Sequence, residues 1–272
     1  MNFIEKLTSA TRKNKSLLCV GLDSDLELIP DGVSIFEFNK AIIDATVDLV
    51  CAYKPNIAFY EILGAEGFDA LKNTVDYIPE DIPVIVDAKR GDIGNTAKAY
   101  ARAIFSYFNF DATTVNPYLG FDSIEPFTQY KDKGVFILCR TSNAGATDFQ
   151  ALRCQLENEH RPLFEIVAEK AKQWNTHGNI GLVVGATFPE ELRLIRQSHP
   201  DMPLLIPGIG AQRGDLPLTI RYGVDAQGEK AIINSSRQII YASRGKDFAK
   251  AARRAASALR DQINHHLANL TS

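Results

Sequence analysis

Short runs rich in Val, Ile, Leu and Ala alternate along the chain with longer amphipathic stretches. The runs are SLLCVGLD (16–23), CAYKPNIA (51–58), PVIVDAKR (83–90), ATTVNP (112–117), GVFILCRTS (134–142), IGLVVGAT (180–187), PLLIPGIG (203–210) and AIINSS (231–236). Each is nearly continuous in apolar residues, as parallel strands buried on both faces require, and each is followed by a segment of helical character. Between the first two runs Phe36, Ile43, Val47 and Val50 recur at close to a helical period, and Phe248, Ala252, Ala255, Leu259 and Ile263 do so near the C-terminus. Both stretches predict helices of an outer layer. Strand-then-helix alternation repeated eight times over most of 272 residues predicts an α/β fold, a single (β/α)8 TIM barrel, over an open doubly wound sheet. The longest interruption, SNAGATDFQALRCQLENEHRP (142–162), has weak periodicity and several loop formers, which makes it a candidate active-site loop. No linker, low-complexity tract or short repeat divides residues 1–272, so one domain is expected.

Composition narrows the partners. The chain carries 33 acidic and 30 basic side chains, a net charge of -3, without the Lys/Arg-rich stripe that nucleic-acid binding requires. A small-molecule partner is favoured over a polyanion. Cys19, Cys51, Cys139 and Cys154 are widely spaced, the first three within apolar runs, where a thiol behaves as a small hydrophobe; this predicts a reduced, cytoplasmic protein. The opening MNFIEKLTSATRKNK has no long apolar core ahead of a small-residue cleavage site, and nowhere do eighteen apolar residues run together. Neither export nor membrane insertion is expected.

Polar residues gather at the C-terminal ends of the apolar runs: Asp23, Lys54, Asp87 with Lys89, Asn116, Ser142, Thr187, Gln212 and Arg237. Barrel enzymes assemble their sites there. Any one of these positions is explained as well by strands ending where water begins; the whole set is not. The densest stretch is VIVDAKRGDIGNT (84–96). On a strand, Asp87 and Lys89 point to one side, which can be the barrel mouth, while Asp92 and Thr96 would share a face at the start of the next helix. The plain alternative makes Lys89 a solvated strand-end lysine and Asp92 a charge favoured by the helix macrodipole. Farther on, Gly208 and Gly210 permit close backbone approach to an anion, Gln212 adds a donor and Arg237 a planar fork. The alternative there is a tight turn beside a surface arginine. His160, His177, His199, His265 and His266 fall away from the strand ends and Trp174 fits an outer-helix pattern, so a histidine base or ligand is not expected.

Asp87, Lys89, Asp92, Ile93 and Thr96 spell Asp-x-Lys-x-x-Asp-Ile-x-x-Thr, and in this the chain resembles the orotidine 5′-phosphate decarboxylases. The resemblance runs over essentially the whole chain, through Asp23 in VGLD, Lys54 in YKPN, the loop Thr141–Gly145, PGIGAQ (207–212) and NSSR (234–237), in the spelling of the longer bacterial branch. It implies decarboxylation of orotidine 5′-monophosphate to uridine 5′-monophosphate, without metal or organic cofactor, in a homodimer; this is the last step of de novo uridylate synthesis. It also implies a tetrad of alternating charge, Lys54, Asp87, Lys89 and Asp92, the last contributed across the subunit interface. Loss of carbon dioxide from C6 leaves a vinylic carbanion with little resonance relief, so the site must supply electrostatic stabilisation and a proton. Lys89, flanked by carboxylates, is expected to stay charged and deliver that proton. Asp87 would lie near the departing carboxylate, and its first role is expected to be orienting the lysines.

The same resemblance places Asp23 and Lys54 on the ribose hydroxyls, with Ile93 and Thr96 reaching the substrate from the neighbouring subunit. Ser142 would recognise the pyrimidine under a loop of Asn143–Ala146. Gly210, Gln212, Ser236 and Arg237 would hold the phosphate beneath a lid over 211–215, and Arg140 has no counterpart and is left outside the site. The closest rival is a magnesium-dependent sugar-phosphate decarboxylase or aldolase of the same superfamily. Those relatives share Asp-x-Lys-x-x-Asp but end the second strand in a glutamate that helps hold the metal, where Lys54 would repel Mg²⁺. A catalytically silent binding barrel is a further reading, and it would be expected to have lost one of the four charged residues.

Overall fold

The computed structural model describes residues 1–156, 159–210 and 214–270. Eight parallel strands form one sheet: β1 (Leu18–Leu22), β2 (Ala52–Pro55), β3 (Ile85–Arg90), β4 (Ala112–Val115), β5 (Gly134–Arg140), β6 (Ile180–Val184), β7 (Leu204–Pro207) and β8 (Ala231–Ser235). β1 pairs with β2 on one side and β8 on the other. Bridges from Tyr53 to Val84 and from Asn56 to Asp87 join β2 to β3 and complete the ring. The expected (β/α)8 barrel is present, and each apolar run contributes one strand to it.

Alternation along the strands decides what lies inside. Cys19, Ala52, Ile85, Ala112, Phe136, Leu205 and Ile232 pack together as the barrel floor, which the helix Phe3–Asn14 plugs from below with Phe3 and Leu7. That helix starts on a capping box: the Glu5 N–H donates to Asn2 Oδ1 at 3.0 Å and the Asn2 N–H returns to Glu5 Oε2 at 2.9 Å. Phe3 meets Phe136 edge-on, with ring centroids 5.7 Å apart. Room for the plug comes from Gly134, where a Cβ would lie 2.4 Å from the Phe3 ring.

The helix Ile35–Thr46, opened by a Ser34/Glu37 capping box, buries Ile35, Phe38, Ile42 and Ile43. It stops short of the expected Val47 and Val50. The Thr46 hydroxyl donates back to the Ile42 carbonyl at 2.7 Å, a bond that competes with helix continuation; Val47–Leu49 then tighten into a 3-10 turn and Val50 is extended. The last helix, Phe248–Ala268, buries Ala252, Leu259 and Ile263 as the periodicity predicts. Within segment 142–162, a 3-10 turn forms at Ala144–Asp148 and an antiparallel hairpin pairs Arg153–Leu156 with Glu159–Pro162. Among the described side chains of the hairpin none is buried, so there is no apolar face to leave a period-two signature.

On the helix Pro189–Ser198, Arg196 is 8% exposed and donates to the carbonyls of His199, Pro200, Met202, Gly223 and Lys230. It ties together the segments that lead into β7 and β8. Burial lowers its guanidinium to about 10, so it stays charged in neutral solution. Cys19, Cys51 and Cys139 are buried and, with Cys154, free. Among the described residues no helix is long and apolar enough to cross a membrane.

Candidate active site

The C-terminal strand ends open into a cavity of about 560 Å³, a volume suited to a small molecule. Lys54, on β2, is 3% exposed, and its ammonium donates to Asp87 Oδ2 at 3.0 Å. The other Asp87 oxygen accepts from Lys89 Nζ at 2.5 Å and from the Thr114 hydroxyl at 3.0 Å.

Regular strand alternation is not what brings Lys89 to Asp87. Lys89 has φ 47° and the β3–β4 register shifts between Val86 and Arg90, so the strand bulges there. Thr114 holds the bulge: its hydroxyl oxygen accepts the N–H groups of Ala88 at 3.0 Å and Lys89 at 2.9 Å. Bulges re-aim a side chain at a barrel rim, and a left-handed lysine costs on the order of 1 kcal/mol that the surroundings must hold in place. Burial by itself would lower the Lys54 ammonium's pKa, but Asp87 and then Asp23 outweigh it and hold the group above the ordinary lysine range. Burial would likewise raise the Asp87 carboxyl, and Lys54 and Lys89 reverse that, keeping it well below the usual carboxylate range. Lys54 and Asp87 are therefore a fixed, ionised pair. One layer down, burial pushes the Cys19 thiol up to about 12, so it stays a neutral hydrophobe.

Asp23, in the turn after β1, also lines the cavity, and its Oδ1 is buried with no hydrogen-bond partner among the described residues. Across the mouth, Gly208 (φ 103°) and Gly210 (φ 135°) take backbone conformations that a side chain disfavours. A Cβ on Gly210 would also come 2.6 Å from Gln238 Oε1. Ser236 and Arg237 line the same wall; the Ser236 hydroxyl donates to the Gly21 carbonyl at 3.2 Å, and Gly21 has no Cβ because one would lie 2.7 Å from that of Ser236. Gln212 and most of the expected lid fall outside the described residues, while Gly214 N–H donates to the Gly208 carbonyl at 3.0 Å.

The third wall is the loop after β5, where Ser142, Asn143, Ala146, Phe149 and Gln150 face the cavity. Gln150 clasps the loop's entry: its Oε1 accepts the Thr141 N–H at 2.8 Å and its Nε2 donates to the Thr141 hydroxyl at 2.8 Å. Ser142 packs so closely on Gly185 that a Cβ there would sit 2.7 Å away.

Not every expected residue joins the cavity. Asp92, Ile93 and Thr96 are absent from its walls, and Asp92 does not share a helical face with Thr96. The helix begins only at Gly94, after an extended Ile93, and Asp92 Oδ1 accepts the Ile93 N–H at 2.8 Å. Ile93 is 55% exposed. Asn116 caps the next turn through the Tyr118 N–H at 3.1 Å, and Thr187 donates to the Ser142 carbonyl at 3.3 Å; neither reaches the cavity. Arg140 is no solvated strand-end charge. It is 1% exposed, donates to Glu191 Oε2 at 2.6 Å and lies 3.6 Å over the Phe188 ring. None of the histidines lines the cavity. The sequence does not single out Thr114 or Gln150, and it places Asn234 in NSSR without a role, yet all three are cavity residues. Thr114 leaves the trace of a threonine within an apolar strand, and its neighbour Thr113 leaves the same one without lining the cavity.

Residues 16–255 match the sequence profile of the Orotidine 5′-phosphate decarboxylase / HUMPS family. The chain belongs to that family. An orotidine 5′-phosphate decarboxylase of Dehalococcoides mccartyi is 57% identical over 266 residues, 98% of each chain. One from Ralstonia pickettii is 54% identical over 273 residues, covering 97% of this chain and 98% of that one. Among solved structures, OMP decarboxylase of Leishmania donovani superposes with a TM-score of 0.86 at 42% identity, covering 98% of this chain and 99% of that one. UMP synthase of the same organism gives 0.89 at 44% identity, with this chain spanning 57% of that longer protein. β2 carries Lys54 near its C-terminal end, and among the described residues no three His, Cys, Asp or Glu side chains are grouped to hold a metal ion.

Proposed function

We propose that this chain decarboxylates orotidine 5′-monophosphate to uridine 5′-monophosphate and carbon dioxide, in the cytoplasm and as the last step of de novo uridylate synthesis. One barrel domain supplies each subunit, and no metal or organic cofactor takes part. The observation that carries the reading is the Lys54–Asp87–Lys89 array, pinned by Thr114 at the floor of a cavity whose opposite wall suits a phosphate. The names of the full-length relatives support the same substrate.

Gly210, Ser236 and Arg237, joined by Gln212, take the phosphate, and Asp23 and Lys54 take the ribose hydroxyls. Ser142 reads the pyrimidine beneath the Asn143–Ala146 turn. Lys89, half exposed toward the cavity, protonates C6 as carbon dioxide leaves, and Asp87 orients both lysines so that positive charge is in place before the carbanion forms. Binding energy from the phosphate, remote from C6, is available for closing the mouth. Asp92, Ile93 and Thr96 complete the site of a second subunit. Ile62 and Tyr118, each 82% exposed, and Ile93 lie on the segments that follow β2, β3 and β4, and a homodimer would cover them.

The test is substrate loss with orotidine 5′-monophosphate in excess EDTA, beside a sugar phosphate with magnesium. Turnover of the nucleotide alone is the expected result. Turnover only of the sugar phosphate, and only with magnesium, would overturn the proposal in favour of the metal-dependent branch.

A further inference from the structure

The turn that carries Asp23 is held by a residue outside the cavity. Tyr241 directly follows the one-turn helix Arg237–Ile240, and its N–H donates to the Arg237 carbonyl at 3.2 Å. Its hydroxyl reaches across to the β1 turn, donating to the Asp23 carbonyl at 2.9 Å and accepting the Asp25 N–H at 2.7 Å. The ring is stacked on Phe38, with centroids 5.8 Å apart and planes at 22°, so the hydroxyl has a fixed origin. Burial pushes that hydroxyl up to about 12, and it remains a donor in neutral solution. From beneath, Ser24 donates to Asn39 Oδ1 at 2.5 Å, and the Asn39 amide donates to Tyr60 and Thr74 at 3.0 Å each. Asp23 itself, between these anchors, keeps a buried carboxylate oxygen with no hydrogen-bond partner among the described residues.

We infer that Tyr241 is a positioning residue for the reaction, its hydroxyl setting the Asp23 carboxylate at a fixed separation from Arg237 so that the ribose and phosphate sites are spaced for one nucleotide. The inference rests on the ribose and phosphate roles proposed above. Both hydroxyl bonds go to the backbone on either side of Ser24, so they fix the path of the turn and not one rotamer. A carboxylate that drifts by about 1 Å loses much of its orienting effect, on the order of 100-fold in the extreme. The Ser24 anchor remains when the hydroxyl is removed, so a partial loss is expected.

The experiment is a double-mutant cycle of Tyr241→Phe and Asp23→Ala, read both as kcat/KM for orotidine 5′-monophosphate and as uridine 5′-monophosphate affinity by calorimetry, with thermal melting of all four proteins. If Tyr241 acts through Asp23, Tyr241→Phe lowers both quantities about tenfold when Asp23 is present and by less than about twofold when it is not. An equal loss in both backgrounds would overturn the inference, since a merely structural tyrosine weakens the protein whatever stands at 23. So would no loss in the Asp23 background. If the wild-type protein fails to turn the substrate over, the proposed function fails first, and the nucleotide affinities across the cycle still decide the role of Tyr241.

Discussion

Replacing Asp87 with asparagine keeps the side chain's shape and removes its charge, which leaves the Lys54 ammonium, 3% exposed, without the carboxylate 3.0 Å away. Breaking a buried ion pair from one side costs about 3–5 kcal/mol because the remaining charge is uncompensated. At roughly 2–4 °C per kcal/mol for a domain of this size, the melting temperature should fall by about 6–20 °C. The pH dependence follows from the directions of the two shifts. Asp87 is depressed in the folded protein, so its contribution is complete above the unfolded carboxylate value and is lost only as pH falls through the lower folded value. Lys54 is raised, so its contribution is complete below the unfolded lysine value and is lost only as pH rises through the higher folded one. Over the neutral range, the wild-type pair therefore adds no slope. In Asp87→Asn, of the two carboxylates only Asp23 still opposes burial, so the folded protein gives up the Lys54 proton more easily and the stability difference from wild type narrows as pH rises toward the lysine range. Urea unfolding of both proteins across neutral and alkaline pH measures the difference. A loss below about 1 kcal/mol, the value of a solvated surface pair, with no narrowing at alkaline pH would show that Lys54 is solvated and the reasoning wrong.

Other consequences are separable from this one. Gly210→Ala places a Cβ 2.6 Å from Gln238 Oε1 in a backbone conformation with φ 135°; it should raise KM for the nucleotide at least about tenfold while uridine, which lacks the phosphate, binds as before. Gly181→Ala, far below the site, meets the Phe136 ring at 2.6 Å and the Pro203 carbonyl at 2.7 Å, and should cost about 1–3 kcal/mol in urea unfolding with little change in KM. Mixing Lys89→Ala with Asp92→Ala subunits should restore about a quarter of native activity, because in a symmetric dimer half of the random pairs hold one intact site; no recovery after subunit exchange would place both residues in the same subunit's site.

The barrel was legible because its strands are buried on both faces, and continuous apolar runs such as GVFILCRTS state that directly. The charged residues at β1, β2 and β3 were legible for the complementary reason: charge at the end of an apolar run needs a use. Tertiary effects were not visible. Arg140 and Arg196 look like ordinary helix or strand-end charges until Glu191 and Phe188, or five backbone carbonyls, are folded around them. The bulge at Lys89 depends on Thr114, twenty-five positions away, and no local pattern announces it. Helical spacing to Thr96 predicts a helical Asp92, whereas the Gly91 and Gly94 that bracket it postpone the helix start to Gly94.

The most direct measurement follows a proton. Orotidine 5′-monophosphate is incubated with the wild-type protein and with Lys89→Ala in deuterated buffer containing excess EDTA, and the product is read by proton NMR at C6. The account predicts that the wild-type protein forms uridine 5′-monophosphate carrying deuterium at C6, and that Lys89→Ala still binds the product but forms none. Turnover by Lys89→Ala within about tenfold of wild type would contradict it, because the proton would then come from somewhere other than the lysine held at 2.5 Å from Asp87.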